Sequence, residues 1–344
     1  MADLLAKAMI AAMKTPLMLI GAEDRVILQN EAMTDLLKID FKGRHYITAL
    51  RQPATIDAVV EAKTDQVAKS ARYLVRVENT DRIFEVSAIP VDDHIVISFE
   101  DQTAVEETQS LRRDFVANVS HELRTPLTAL LGFIETLQGP ARDDPAAQER
   151  FLAIMATEAD RLRRLVDDLL SLSRVEEVER SRPVEPVDLG TIVRQATELL
   201  GPLAEEAGTQ LIVKVSDDAP LVPGDDAQLQ QVLNNLIENA IKYGASDKGI
   251  TVEVHQPAFE TTVHQQAIRL TVTDCGQGIP AHHLIRLTER FYRVDLHRSR
   301  QQGGTGLGLA IVKHIANRHR GKLLFESVEG EGTTVTLMLP TEVT

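Results

Sequence analysis

The stretch Ser120-His-Glu-Leu-Arg-Thr-Pro-Leu127 lies inside a long apolar repeat that governs how this part of the chain folds. Apolar residues recur there at intervals of three or four, the spacing of one face of an α-helix. They are Leu111, Phe115, Val119, Leu123, Leu127, Leu130, Ile134 and Leu137. A second repeat, near heptad spacing, consists of Phe151, Met155, Leu162, Leu165, Leu169 and Leu172. Two long amphipathic helices are therefore predicted.

The segment between the two repeats, Gln138-Gly-Pro-Ala-Arg-Asp-Asp-Pro145, is rich in residues that end helices. We therefore expect the helices to fold back on each other as an antiparallel hairpin, within residues 106–183. A hairpin of two helices cannot bury such a long apolar seam alone, whereas pairing with a second copy into a four-helix bundle would bury it. The sequence thus predicts a homodimer built on a helical hairpin.

The segments on either side of the hairpin predict a multidomain protein of mixed α and β structure. Residues 1–105 predict a small α+β sensor domain, with strand-like runs at residues 16–20, 25–28, 73–77, 83–87 and 94–99. Residues 187–342 predict an α/β sandwich, with helices at 188–207, 226–243 and 307–319 and strands at 210–215, 250–255, 267–273, 322–327 and 333–339. Residues 182–186, Arg-Pro-Val-Glu-Pro, are typical of a linker.

Size and composition limit the class of protein. A chain of 344 residues is too long for one ordinary core, so two or three domains are expected. The net charge of −14 argues against nucleic acid as a direct partner. The single cysteine, Cys275, excludes a disulfide within the chain and suits a reducing cytosol. The apolar run at residues 4–20 is interrupted by Lys7, Lys14 and Pro16, so we expect a cytoplasmic chain without a membrane span or signal peptide here.

His121 is the candidate nucleophile. At about 100° per residue it lies roughly opposite the stripe that contains Val119 and Leu123, and therefore faces solvent. A histidine that only packs in a core would lie on the stripe, although a solvated surface histidine remains an alternative. Neutral imidazole is a good nucleophile near neutral pH, and the adjacent Glu122 could accept its proton or orient the ring. Pro126 removes a backbone hydrogen bond and is expected to bend the helix there.

The helix predicted over residues 226–243 carries polar residues in an otherwise apolar setting. Asn235 and Asn239 are four residues apart on one helix face, and Lys242 and Tyr243 continue the same end. An amide oxygen suits Mg²⁺, and a lysine binds phosphate as a point charge. This pattern predicts a metal and phosphate site, with a pair of surface asparagines as the alternative.

Two glycine-containing stretches predict loops that approach a ligand closely. Asp274-Cys-Gly-Gln-Gly-Ile-Pro280 follows an apolar strand, and Gly303-Gly-Thr-Gly-Leu-Gly-Leu309 leads into a helix whose N-terminus favours phosphate. Neither stretch is a P-loop or a dinucleotide fingerprint. The charged connection between them, residues 289–302, contains Tyr292 and Arg293 and would suit a lid over ATP. Ordinary turns and a solvated loop are the alternatives.

In this order and spacing, the motifs resemble the transmitter of bacterial sensor histidine kinases over about residues 106–342. The resemblance implies a C-terminal ATPase domain of the histidine kinase and gyrase type, and the first segment resembles a PAS domain. Asn235 stands where gyrase and chaperone ATPases carry a glutamate that activates water, which favours transfer to histidine over hydrolysis. A non-catalytic signalling scaffold should lack one of these motifs, and none is missing.

The resemblance also implies roles for individual residues. His121 would receive the γ-phosphoryl group of ATP, Glu122 would act as its base, and Thr125 would position water when the kinase dephosphorylates its partner. Asp274 would read the adenine amino group, and Asn239 would hold Mg²⁺. The remaining nucleotide-binding residues would be Asn235, Lys242, Tyr243, Gly276, Gly278, Tyr292, Arg293, Gly304, Thr305, Gly306, Leu307, Gly308 and Leu309.

A finer resemblance is carried by Arg286-Leu-Thr-Glu-Arg-Phe-Tyr-Arg-Val-Asp295, by Arg298-Ser-Arg and by residues 303–319, which are similar to the phosphate-regulon sensor kinases. Thr288 stands where many histidine kinases have phenylalanine, and that departure is typical of the phosphate group. The resemblance implies signalling in phosphate starvation with transfer to a PhoB-like response regulator. It also implies contact with a phosphate transporter and a PhoU-type regulator at the membrane.

Overall fold

The computed structural model describes residue 10 and residues 12–77, 80–179, 181–215, 221–244, 247–295 and 304–342. The chain divides into two compact units, Met1–Ala117 and Asn118–Thr344. Within the described part of the chain, no helix is long and apolar enough to cross a membrane. Residues 296–303, which include part of the predicted lid, lie outside the described residues.

The first unit contains one five-stranded antiparallel sheet. Its strands are β1 (Leu17–Ile20), β2 (Val26–Gln29), β3 (Lys69–Val77), β4 (Thr80–Val91) and β5 (His94–Asp101), in the order β2-β1-β5-β4-β3. Helices α1 (Glu31–Leu37) and α2 (Pro53–Asp65) and a 3₁₀ turn (Tyr46–Thr48) join β2 to β3. Along β5, Ile95, Ile97 and Phe99 alternate with less buried residues and lie in the core, as expected of a half-buried strand. The strand-like runs predicted from the sequence are confirmed.

The hairpin consists of α3 (Thr103–Gln138) and α4 (Pro145–Val178). Helix α4 begins with Pro145 behind an Asp144 cap, whose side chain accepts a hydrogen bond from the Ala147 amide. The rings of Phe133 and Phe151 lie 5.4 Å apart near the connecting turn. Farther from the turn, Glu122 of α3 contacts Arg161 of α4. The two helices are therefore antiparallel, as predicted, and α3 continues through Pro126, whose side chain is buried.

The C-terminal part of the second unit is a sheet covered by helices, which confirms the predicted sandwich. Strands β7 (Leu211–Lys214), β9 (Ile250–Val254), β11 (Gln265–Asp274), β12 (Lys322–Val328) and β13 (Gly332–Pro340) follow the order β12-β13-β11-β9-β7. All their pairs are antiparallel except β7 with β9. Short β10 (Ala258–Glu260) also pairs with β11. Helices α5 (Leu189–Glu206), α6 (Asp226–Gly244) and α8 (Gly308–Arg318) pack against the sheet, and α7 (Ala281–Leu284) is a single turn.

The predicted linker at residues 182–186 is partly wrong, because its end belongs to a strand. Strand β6 (Glu185–Asp188) pairs antiparallel with β8 (Leu221–Gly224), which was not predicted either. Val187 and Val222 face each other in this pair, and both are buried. The prolines at positions 183 and 186 argued against a strand in the sequence, because proline is rare in central strands. Proline is nevertheless tolerated in a short two-stranded pair such as this one.

His319 joins the end of α8 to the start of α6. Its Nε2 accepts a hydrogen bond from the Asp225 amide at 3.0 Å, and its Nδ1 lies 2.8 Å from the Ile315 carbonyl oxygen. Because a carbonyl only accepts, Nδ1 carries the proton and the ring is neutral. The side chain is only 1% exposed, and this burial lowers the pKa of His319 below its usual value.

We expect His319→Ala to destabilise the folded chain by roughly 2–4 kcal/mol, because it opens a cavity and leaves the buried Asp225 amide unpaired. A lowered pKa means that the neutral histidine stabilises the fold above its unfolded value of about 6.5, and that this contribution falls as the pH drops below it. The difference in melting temperature between wild type and variant should therefore be smaller at pH 5 than at pH 7.5. Scanning calorimetry at both pH values measures it, with exposed His264→Ala as the control. An equal difference at both pH values would contradict the assignment.

Candidate functional site

A cavity of about 350 Å³ lies in the second unit, where α6, the end of β11 and the start of α8 meet. Most of the nucleotide-binding residues predicted from the sequence line it, although they come from four separate stretches of the chain. They are Asn235, Asn239, Lys242, Tyr243, Asp274, Gly278, Tyr292, Arg293, Gly304, Thr305, Gly306, Gly308 and Leu309. Gly276 and Leu307 do not line the cavity, nor do His121, Glu122 and Thr125.

Helix α6 presents its asparagines to this cavity because its other face is committed to the core. Val232, Leu233 and Ile237 are completely buried, so the helix cannot rotate without exposing them. Asn235 and Asn239 line the cavity from the remaining face. At the C-terminal end of the helix, Lys242 donates to Glu238 at 2.8 Å. The helix therefore offers amide oxygens, a cation and a carboxylate to a single ligand.

Asp274 closes the end of the cavity at the C-terminus of β11. Its Oδ1 accepts a hydrogen bond from the Gly276 amide at 2.9 Å, and burial raises the pKa of this carboxyl group. Gly276 packs directly against Gly244 at the end of α6, where a side chain on either residue would collide with its neighbours. Gly276 therefore acts by allowing this close approach, which holds Asp274 in place. A half-buried carboxyl group with one fixed oxygen is suited to recognising a hydrogen-bond donor of a ligand.

The lid residues that the structure describes are held by specific contacts. The Tyr292 hydroxyl lies 2.5 Å from His283 Nδ1, and the Arg286 guanidinium stacks 4.2 Å from the Tyr292 ring centre. Arg293 donates to the Thr305 carbonyl oxygen at 2.9 Å, which ties the lid to the second glycine loop. The Arg293 side chain is only 4% exposed, and its Nε and Nη1 have no hydrogen-bond partner among the described residues. This buried cation is available for further anionic oxygens.

The candidate nucleophile lies on the exposed face of α3, as the apolar stripe predicted. His121 and Thr125 are both exposed and are one turn apart, and the Thr125 hydroxyl donates to the His121 carbonyl at 3.2 Å. The neighbouring Glu122 points the other way. Its Oε2 accepts from Arg293 at 3.0 Å and from Arg161 at 3.4 Å. A side chain next to the histidine therefore contacts the cation at the edge of the cavity.

Sequence reasoning missed the contribution of α4 to this site. Arg164, Asp167 and Asp168 line the cavity together with Glu238. The Thr305 hydroxyl donates to Asp168 Oδ2 at 2.6 Å. Burial raises the pKa of the Asp168 carboxyl group, against the opposing effect of this hydrogen bond. In the sequence these residues belong to the polar face of an amphipathic helix, and no local signal distinguishes them from solvated charges.

Two protein families match this sequence. Residues 111–178 match the "His Kinase A (phospho-acceptor) domain", which covers most of α3 and all of α4. Residues 224–343 match the family described as "Histidine kinase-, DNA gyrase B-, and HSP90-like ATPase". The first match contains His121, and the second contains every other predicted site residue outside α3.

Several similar proteins are sensor kinases. The sensor protein kinase WalK of Staphylococcus saprophyticus is 34% identical over 316 residues, which cover 90% of this chain and 50% of WalK. The phosphate regulon sensor protein PhoR of Pseudomonas aeruginosa is 38% identical over 255 residues, 74% of this chain and 55% of PhoR. The chain thus spans about half the length of these relatives.

A solved structure supports the fold over nearly the whole chain. Histidine kinase ThkA, solved in complex with the response regulator protein TrrA, aligns with a TM-score of 0.52. The alignment covers 97% of this chain and 98% of that one, at 19% identity. Acinetobacter baumannii histidine kinase AdeS aligns with a TM-score of 0.51 at 24% identity, over 65% of this chain and 98% of AdeS. At these identities the likeness concerns the fold.

Proposed function

The chain belongs to the sensor histidine kinases, and on that basis we propose that it phosphorylates His121 from Mg-ATP and passes the phosphoryl group to an aspartate of a response regulator. The observation that best supports this is the convergence of the asparagine helix, both glycine loops and the lid on one cavity. The asparagine helix is separated from the glycine loops and the lid by about thirty residues or more of sequence, and a shared ligand explains why polar residues of all of them line the same space. The exposed His121 lies in the same compact unit.

The residues around the cavity suggest how the nucleotide is held. Asp274 would accept a hydrogen bond from the adenine amino group, and Lys242 and Arg293 would contact the phosphates. Mg²⁺ commonly binds one or two protein oxygens together with phosphate oxygens, and Asn239 offers one such oxygen at the cavity wall. Bound there, the ion would neutralise charge on the phosphates.

The residues of α3 suggest how the phosphoryl group is received. The exposed His121 imidazole would attack the γ-phosphorus, and the bond from that phosphorus to the bridging oxygen would break to release ADP. Glu122 would take up the imidazole proton after leaving its contact with Arg293. Catalysis would rest mainly on positioning, because phosphoryl transfer needs little covalent chemistry from the protein. Thr125, exposed one turn after His121, would orient water when the phosphorylated regulator is hydrolysed.

Exposure of part of the apolar seam supports the proposed homodimer. Leu127 is 53% exposed and Leu111 is 66% exposed, although both belong to the repeat that predicted a buried seam. A second hairpin packed against them would form the four-helix bundle and bury this surface. A response regulator would then dock beside His121, on the outside of the bundle.

The domain limits and the upstream signal belong to the same proposal. We propose a PAS-like sensor domain over residues 1–105, the phosphotransfer hairpin over 106–183 and the ATP-binding domain over 187–342. Similarity to PhoR favours phosphate-starvation signalling through a PhoB-like regulator, with a phosphate transporter and a PhoU-type protein as further partners. WalK proteins are similar at the same level, so a WalK-like pathway is the second candidate.

Incubation of the whole chain with γ-labelled ATP and Mg²⁺ tests the proposed activity. We expect label on the protein that is labile to acid and stable to alkali, as a phosphohistidine is. Addition of purified response regulators then distinguishes the two pathways, since the cognate regulator should take the label within seconds and others should not. ATP hydrolysis without any labelled protein would favour an ATPase of the gyrase or chaperone kind instead.

A further inference from the structure

Two carboxylates of the helical hairpin hold groups at the edge of the cavity that the nucleotide would use. Asp168 of α4 accepts the Thr305 hydroxyl at 2.6 Å, and Glu122 of α3 accepts from Arg293 at 3.0 Å. Thr305 and Arg293 are themselves joined, because Arg293 donates to the Thr305 carbonyl at 2.9 Å. We call Glu122 and Asp168 the carboxylate latch.

The latch makes the same kind of contact that phosphate oxygens would make. Hydroxyl and guanidinium donors bind carboxylate and phosphate oxygens alike. Arg293 lines the cavity, is nearly completely buried, and keeps Nε and Nη1 without a partner among the described residues. A buried unpaired donor is unfavourable, so this guanidinium is incompletely satisfied by Glu122. An anion with several oxygens would satisfy it better.

The electrostatics of the cavity oppose simultaneous occupation by the latch and a triphosphate. Asp167, Asp168 and Glu238 line the same cavity. Burial and the nearby Glu238 both raise the pKa of Asp168, while Thr305 and Lys242 act in the opposite direction. Ionisation of Asp168 is thus already less favourable than in water, and a multiply charged phosphate chain beside it would add further repulsion.

We propose that the carboxylate latch stands in for the nucleotide phosphates, so that Mg-ATP and the latched hairpin exclude each other. The inference rests on the proposed nucleotide site. Binding of Mg-ATP transfers Thr305 and Arg293 from the hairpin to the phosphates. Glu122 is then released beside His121, where its carboxylate can take up the proton of the imidazole. Because only molecules with an open latch can bind Mg-ATP, the apparent affinity is reduced in proportion to the fraction of molecules in which the latch is open, and weakening the latch therefore strengthens nucleotide binding.

Contacts outside the cavity allow this exchange without separating the hairpin from the ATP-binding part. Near the end of α4, Glu176 pairs with Arg290 at 2.5 Å. Just after α4, Glu179 contacts His314 of α8 at 2.8 Å and Asn317 at 3.1 Å. None of these residues lines the cavity, so a nucleotide would not compete for them. They can keep the two parts together while the latch opens.

The test is the affinity of the full chain for Mg–AMP-PNP, for ADP and for adenosine, measured by calorimetric titration. Asp168→Asn removes the charge while keeping nearly the same shape and an acceptor for Thr305. We expect it to bind Mg–AMP-PNP about 5-fold or more tightly than wild type, with a smaller gain for ADP and none for adenosine. Asp168→Ala, which also removes the acceptor, should gain at least as much. Asp167→Asn is the matched control, since it removes the same charge from the same cavity without a contact to Thr305.

The possible outcomes distinguish a failure of the latch proposal from a failure of the nucleotide site on which it rests. Unchanged or weaker Mg–AMP-PNP binding in both Asp168 variants would overturn the latch while leaving the nucleotide site standing. An equal gain in Asp167→Asn would show that general charge, and not the Thr305 contact, governs the affinity, and would also overturn it. Failure of the wild type to bind either AMP-PNP or adenosine would instead remove the proposed function itself.

Discussion

His121→Gln is expected to abolish labelling of the protein by γ-labelled ATP, because glutamine has no nucleophilic nitrogen to form a phosphoramidate bond. The histidine is exposed on α3 and does not line the cavity, so the variant should fold and bind nucleotide as the wild type does. Loss of label with retained affinity for Mg–AMP-PNP would place the defect at the acceptor. Labelling and titration of the same preparation measure both quantities.

The control for this experiment is His264→Gln, which replaces another exposed histidine of the same unit by the same residue. His264 lies in a turn between β10 and β11 and does not line the cavity. It should label at the wild-type rate. Label that survives in His121→Gln would mean that another side chain is phosphorylated, and the assignment of the acceptor would have to be abandoned.

Asn239→Ala is expected to lower the initial rate of labelling by about 100-fold or more. A metal ion contributes several kcal/mol to stabilising charge in phosphoryl transfer, and each 1.4 kcal/mol corresponds to about a factor of ten. The loss should be accompanied by a higher Mg²⁺ concentration for half-maximal rate. Affinity for adenosine should change little, because Asp274 and the adenine end of the cavity remain intact.

Asn234→Ala provides the matched control on the same helix. Asn234 is five residues before Asn239, is half-buried, accepts a hydrogen bond from Gln230 at 3.1 Å and does not line the cavity. It should retain most of the wild-type rate and the wild-type Mg²⁺ requirement. If the two variants were impaired equally, the effect of Asn239→Ala would reflect the stability of α6, and its role toward the metal would be unsupported.

Much of the site could be predicted from the sequence because its residues cluster within short motifs. Asn235 and Asn239 share a helix face by their spacing alone, and the glycine loops adjoin the strand and helix that position them. For the same reason His121 could be placed on the solvent side of α3. Such predictions depend on periodicity and on local chain geometry, which the order of residues along the chain determines directly.

The sequence by itself therefore determined the antiparallel hairpin, the sandwich and the motifs that line the cavity. Only the tertiary structure decided that Asp168 enters the cavity and that Glu122 pairs with Arg293, 171 positions away. Asp168 has the same helical spacing as any solvent-facing acid, and its environment is created by Thr305, 137 positions further along the chain. Burial, hydrogen-bond partners and shifts of pKa depend on which surfaces pack together, and local periodicity contains no information about that packing.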